Sequence, residues 1–336
     1  MTSTASTDLS VRYEDVAQAA DRIRDLVVKT PLIEAHALSE AIKGRFFVKC
    51  ENLQRTGSFK LRGAMNSLAS LSDQDRARGV VAYSSGNHAQ GVAAAARHFG
   101  VAATIIMPED APAIKKVNTI DLGAKVVTYD RYSESREDLG RQIQAETGAV
   151  LVPPYDFAPT IAGQGTSGME VINQLRAQGL SLDLAIICCG GGGLAAGSAL
   201  ALTTSFPGAQ VWAAEPDSHD DTARSLLSGS HVHNDPEVRS ICDAIVTPTP
   251  GELTLPILQA CGVEGRSASD EQALDAVAYA ATRLKLIVEP GGAIALAVAR
   301  KHLDDLQGKT VVAYLSGGNI DPAMLDVAMT RDVDLI

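Results

Sequence analysis

Short apolar runs of strand length alternate with longer helical stretches, most regularly over residues 79–155. That alternation restricts the chain to an α/β architecture with mainly parallel sheets. Runs at 80–83, 103–107, 125–129 and 149–152 read as strands, and 87–99, 112–122 and 133–146 as the helices between them. Pro108, Gly123 and Pro153-Pro154 supply the breaks. The spacing predicts a small four-stranded unit, 79–156, inserted into a larger domain formed by 1–78 and 157–336. The larger part carries further apolar runs at 184–189, 211–214 and 311–315, and a helix over 270–284 behind a Ser269-Asp270 cap signal. The polar stretch 228–236 reads as a loop.

Composition narrows the functions open to such a fold. At 336 residues and 46% hydrophobic content the chain has enough apolar material for one large or two medium cores. A formal charge of −11, with no basic stripe, argues against nucleic acid as a partner. No apolar stretch is long and charge-free enough to span a bilayer, so no membrane partner is expected. Residues 1–8 lack the basic region and apolar run of a signal peptide. The five cysteines are odd in number and show no paired spacing. Cys188 and Cys189 lie inside an apolar run, where buried free thiols and a reducing cytoplasm are expected.

Two segments carry chemistry by residue type alone. In Thr56-Gly57-Ser58-Phe59-Lys60 a turn precedes a helix, with Ser58 placed to cap it from Phe59 onward. A lysine in the first turn sits at the positive end of the helix dipole, which disfavours an ammonium. Desolvation there would leave the amine readily neutral, as Schiff-base chemistry requires, whereas an exposed Lys60 would be an ordinary surface residue. The second segment, Gly190-Gly191-Gly192-Gly193-Leu194, follows an apolar strand and opens an alanine-rich helix, the setting of a phosphate site. Gly191 to Ala196 also fit G-x-G-x-x-A, with the acid Glu215 about twenty residues on, so a nicotinamide dinucleotide competes for the same loop.

Four motifs in order, Gly57-Ser58-Phe59-Lys60, Ser84-Ser85-Gly86-Asn87-His88-Ala89-Gln90-Gly91, Gly190-Gly191-Gly192-Gly193-Leu194 and Ser316-Gly317-Gly318-Asn319, resemble the serine/threonine dehydratase and serine racemase family. Its members are pyridoxal-phosphate (PLP) enzymes of fold type II, like the tryptophan synthase β chain. They have two open, twisted, mainly parallel sheets flanked by helices. A dinucleotide would leave Lys60, the Asn87 segment and Ser316 without a role.

The resemblance implies residue roles. Lys60 would hold PLP covalently and later take the substrate Cα proton, with Phe59 against the cofactor ring. Asn87 would hydrogen-bond the cofactor 3′-oxygen, besides its ordinary suitability as a helix start. Gly190, Gly191, Gly192, Gly193 and Leu194 would hold the phosphate. Ser84, Ser85, Gly86, Asn87 and His88 would grip the substrate carboxylate, and Ser85 would also work on the opposite cofactor face, which keeps racemisation open. Ser316 would contact the pyridine nitrogen. A neutral hydroxyl stabilises a pyridinium poorly, which suits β-elimination better than transamination.

Glu215, His219 through its carbonyl, and Asp221 resemble a Mg²⁺ or Ca²⁺ site; without the resemblance they form a solvated acidic turn. Arg136 matches an arginine near the active site of serine racemase and hydroxyaspartate dehydratases, and could bind a second substrate carboxylate in bidentate fashion. The expected function is PLP-dependent β-elimination of a β-hydroxy-α-amino acid to a 2-oxo acid and ammonia. The leading substrate is 3-hydroxyaspartate, and threonine or serine is the alternative. The family also implies a homodimer, and the appended regulatory domain of some threonine dehydratases is expected to be missing. Residues 244–255 depart from the racemase pattern and are expected to line the substrate pocket.

Overall fold

The computed structural model describes residues 9–84, 86–111, 113–130 and 132–331. Among them ten strands form two sheets: β1 Leu32–Glu34, β2 Arg45–Cys50, β3 Val80–Tyr83, β4 Ala103–Pro108, β5 Lys125–Tyr129, β6 Val150–Leu151, β7 Leu184–Cys188, β8 Gln210–Pro216, β9 Glu264–Ala268 and β10 Thr310–Leu315. The larger sheet runs β1-β2-β10-β7-β8-β9, parallel except for the antiparallel edge strand β1. The smaller runs β5-β4-β3-β6 and is parallel throughout. Helices cover both sheets, as parallel strands require.

Strands β7 and β10 are buried almost from end to end, which is why they read in the sequence as unbroken apolar runs. β2 lies beside β10 but was not legible in advance, because Arg45 and Lys49 interrupt its apolar residues. Lys49 is fully buried, its Nζ donating to Glu170 Oε2 at 2.6 Å and to the Thr30 carbonyl at 2.8 Å. The expected strand over 149–152 shrinks to Val150–Leu151. The helix behind Ser269 forms over Asp270–Tyr279, with the Ser269 hydroxyl accepting from Gln272 N–H, and ends in a wider turn, Ala280–Leu284.

One expectation near the key lysine is corrected. The helix begins at Lys60 rather than Phe59 and runs Lys60–Ala69, and Ser58 does not cap it. Ser58 instead forms an antiparallel bridge with Gly317, while Phe59 N–H donates to the Ser316 carbonyl at 3.1 Å. Tethering the turn to the end of β10 holds the Ser58 hydroxyl in the interior, where it lacks a partner. The apolar residues Leu61, Ala64, Met65 and Leu68 of this helix share a core with β3, β4 and the helix Asn87–Phe99. The Lys60 helix, on the larger unit in sequence terms, thus also packs its apolar face against the smaller one. All five cysteines are free thiols, and Cys188 and Cys189 are buried. No helix among the described residues is long and apolar enough to cross a membrane. Residues 1–8, read above for a signal peptide, lie outside the described part.

Candidate active site

Ligands of open α/β folds gather at the carboxyl ends of the strands, and here β3, β7 and β10 point that end at one cavity. β3 leads into Ser84, β7 into the glycine run and β10 into Ser316. The cavity measures ≈ 160 Å³ and is lined by Phe59, Lys60, Ser84, Gly86, Asn87, His88, Arg136, Gly190 to Gly193 and Leu194.

Lys60 opens its helix with Nζ donating to the Pro154 carbonyl at 2.9 Å, and Nζ lies 5.1 Å from the Phe59 ring centroid. Burial pushes its amine down to about 8, against the opposing pull of Glu289. A buried amine that gives up its proton near neutral pH is suited to nucleophilic and base chemistry.

Opposite stands the glycine run. Gly192 has φ +91°, a conformation that side chains rarely adopt, and a Cβ on Gly191 would run into the Tyr155 ring. Helix Gly193–Ser205 starts here, and its first intrahelical bond, Ala196 N–H to the Gly192 carbonyl at 2.8 Å, leaves earlier N–H groups free for an anion.

The helix Asn87–Phe99 presents a second N-terminus to the cavity, with no side-chain cap. Asn87 does not cap it. Its Nδ2 donates to Glu289 Oε1 at 2.6 Å, and its Oδ1 accepts from Asn319 Nδ2 at 2.7 Å. His88 is neutral, since burial and then Lys60 push its imidazole down to about 3. Its Nε2–H donates to the Val152 carbonyl at 2.8 Å, which leaves Nδ1 buried without a partner. Arg136 opens the helix Arg136–Thr147; its Nε donates to Glu137 at 2.8 Å and its guanidinium lies 5.4 Å from the Tyr83 ring centroid.

Ser316, Glu215 and Asp221, among the expected residues, do not line the cavity. Ser316 is buried beside the pocket but is absent from its lining, where the neighbouring Cys188 takes part. Ser85 lies outside the described residues. Glu215 and Asp221 lie away from the cavity, at the end of β8 and the start of the helix Asp221–Ser228. Glu215 is fully buried, accepts from Thr222 N–H at 2.9 Å and Ala223 N–H at 2.8 Å, and is absent from the cavity lining, so it does not face a ribose at the glycine run. That removes the physical support for a dinucleotide.

Other lining residues were not read from the sequence, among them Tyr155, Gln164 and Glu289. Glu289 had a signal: an acid directly before a proline that opens a helix, Pro290–Lys301, buried almost throughout. Ala244 to Thr247 also line the cavity, at the start of the 244–255 stretch.

A buried, easily deprotonated amine facing a glycine-lined helix N-terminus is the site of an enzyme that takes a phosphorylated aldehyde cofactor. The residues fit pyridoxal phosphate: the glycine backbone lies bare where side chains would block it, and Thr247 Oγ1, buried and unpartnered, adds a free hydroxyl to the lining. The chain belongs to the pyridoxal-phosphate-dependent enzyme family, which it matches over residues 23–317. It is 43% identical over 310 residues to an L-threo-3-hydroxyaspartate ammonia-lyase of Saccharomyces cerevisiae, covering 92% of this chain and 93% of that one. It is 38% identical to a serine racemase of Schizosaccharomyces pombe, covering 92% and 94%. The structure of maize serine racemase superposes with a TM-score of 0.88 at 34% identity, covering 96% and 97%.

Proposed function

We propose that this chain is a PLP-dependent ammonia-lyase that removes water and ammonia from a β-hydroxy-α-amino acid, with 3-hydroxyaspartate as its substrate. The observation that carries the reaction type is the Lys60 amine, buried and lowered to about 8 in a cavity shared with the glycine run. Bound PLP supplies an electron-accepting ring that stabilises negative charge at the substrate Cα. Lys60 takes the Cα proton as general base. Free N–H groups at the start of the Asn87 helix hold the substrate α-carboxylate. The departing hydroxyl group needs a proton, for which Ser85 and the cofactor phosphate are the two candidates.

The substrate rests on Arg136 and on the 3-hydroxyaspartate ammonia-lyase named above. Arg136 lines the cavity, so a second carboxylate on the substrate gains a guanidinium partner there. The unit 79–156 carries Arg136 and closes over the substrate through that contact. A panel of hydroxyaspartate stereoisomers, serine and threonine, followed by ammonia release, tests the reading. Turnover of serine or threonine in clear preference to every hydroxyaspartate would replace the substrate assigned here. Interconversion of serine enantiomers without ammonia would replace the reaction.

The same reading places Mg²⁺ or Ca²⁺ at Glu215 and Asp221, with the His219 carbonyl as a further ligand. Asp221 Oδ2 is buried without a partner. Burial, and then the Asp221 charge, push the Glu215 carboxyl well up; burial raises Asp221 to about 7. A hard cation would let both ionise. Chelator-treated protein is expected to gain several degrees in Tm when either cation is restored, through preferential binding to the folded state. An unchanged Tm with both ions counts against the site.

A further inference from the structure

Glu289 is the acidic side chain of the cavity with no cationic partner of its own among the described residues. It stands directly before the helix Pro290–Lys301 and is 6% exposed. The backbone fixes it from one side, since Glu289 N–H donates to the Gly317 carbonyl at 3.0 Å. A Cβ on Gly317 would collide with Glu289 Oε1, so the carboxyl lies flat against bare backbone after β10. Its Oε1 accepts from Asn87 Nδ2 at 2.6 Å, the short distance of a strong hydrogen bond.

The other end of the same amide is held as firmly. Asn319 Nδ2 donates to Asn87 Oδ1 at 2.7 Å and to the Thr56 carbonyl at 2.9 Å. An asparagine amide carries two N–H groups and one carbonyl. With one N–H given to Glu289 and the carbonyl taken by Asn319, flipping the amide would break both bonds. The second N–H of Asn87 is left over, on a residue that lines the cavity.

We propose that Glu289 is a positioning residue for the cofactor: with Asn319 it clamps the Asn87 amide in one orientation, so that the remaining Asn87 N–H is offered to the phenolic oxygen of PLP. This rests on the PLP reading above and names a residue that reading did not need. The clamp is also electrically adjustable. Burial pushes the Glu289 carboxyl up to about 7; the Asn87 bond lowers it, Asp243 raises it, and Lys115 and Lys60 lower it. Lys115 and Asp243 lie 3.5 Å apart as a pair, so their fields at Glu289 largely cancel. Lys60 adds a weaker pull in the same direction as Lys115. Above neutral pH an ionised Glu289 strengthens its bond from Asn87 and sets a negative charge near the phenolic oxygen, disfavouring that oxygen's anionic form. Below neutral pH both effects fade.

The test compares PLP affinity and the visible absorbance spectrum of the bound cofactor across pH 6–9 in the wild type, Glu289→Gln, Glu289→Ala and Asn319→Ala, with apo-protein Tm as the folding control. Glu289→Ala and Asn319→Ala are each expected to weaken PLP binding by about tenfold, the scale of one lost charge-assisted or clamped hydrogen bond. Glu289→Gln can still accept from Asn87 and is expected to retain affinity within about threefold, while losing the spectral step near pH 7. Should the alanine variants fail to fold, the Gln spectrum decides alone. If PLP affinity is unchanged in both alanine variants, or the pH step persists in Glu289→Gln, the clamp is wrong. If the wild type itself binds no PLP, the underlying cofactor reading fails instead.

Discussion

Lys60 owes its reactivity to position more than to any single partner. It sits where the helix dipole and burial both oppose a positive charge, while Glu289 favours one, and burial wins. Only the neutral amine can condense with an aldehyde. The rate at which apo-protein acquires the visible absorbance of bound PLP should therefore climb about tenfold per pH unit below 8 and level off above it. A rate still climbing steeply at pH 10 would mean an ordinary, solvated lysine. Lys60→Ala should acquire no such band at any pH.

The helix that carries Lys60 is held by buried charge. Arg62, two positions on, is fully buried; its Nε donates to Glu51 at 2.7 Å and its Nη1 to Glu170 at 2.8 Å. Glu170 belongs to the helix Ala158–Arg176 and also pairs with Lys49 of β2, so one network ties two helices to the large sheet. Burial favours the neutral Glu51 carboxyl, yet Arg62 overrides it and holds Glu51 at about 2. Arg62→Leu would keep the apolar stem and strand a buried carboxylate, so the variant should lose about 3–5 kcal/mol in urea denaturation. A loss below about 1 kcal/mol would show that the network contributes little. None of this was readable in the sequence, where Lys49, Glu51, Arg62 and Glu170 are scattered charges. Their pairing depends on which helices pack together.

At the scale of the molecule the cavity draws from both sheets: Lys60, the glycine run and Glu289 on one side, Ser84, Gly86, Asn87, His88 and Arg136 on the other. A substrate touching both should draw the two units together. Arg136→Ala is expected to raise KM for hydroxyaspartate by about a hundredfold, with far less effect on serine, since a bidentate carboxylate contact is lost only for the dicarboxylate. Equal losses for both substrates would remove Arg136 from specificity.

The alternation of strand and helix periods, and the glycines and lysine next to their turns, are local properties. They suffice for the parallel α/β plan and the four-stranded unit, and they mark Lys60 as a candidate, because each is set by a few neighbouring residues. Glu289 with Asn87 and Asn319, Arg62 with Glu51 and Glu170, and Tyr155 against Gly191 join residues distant along the chain. Those contacts exist only once the helices have chosen their faces. The polarity of a buried side chain does not say which partner, from which segment, will satisfy it.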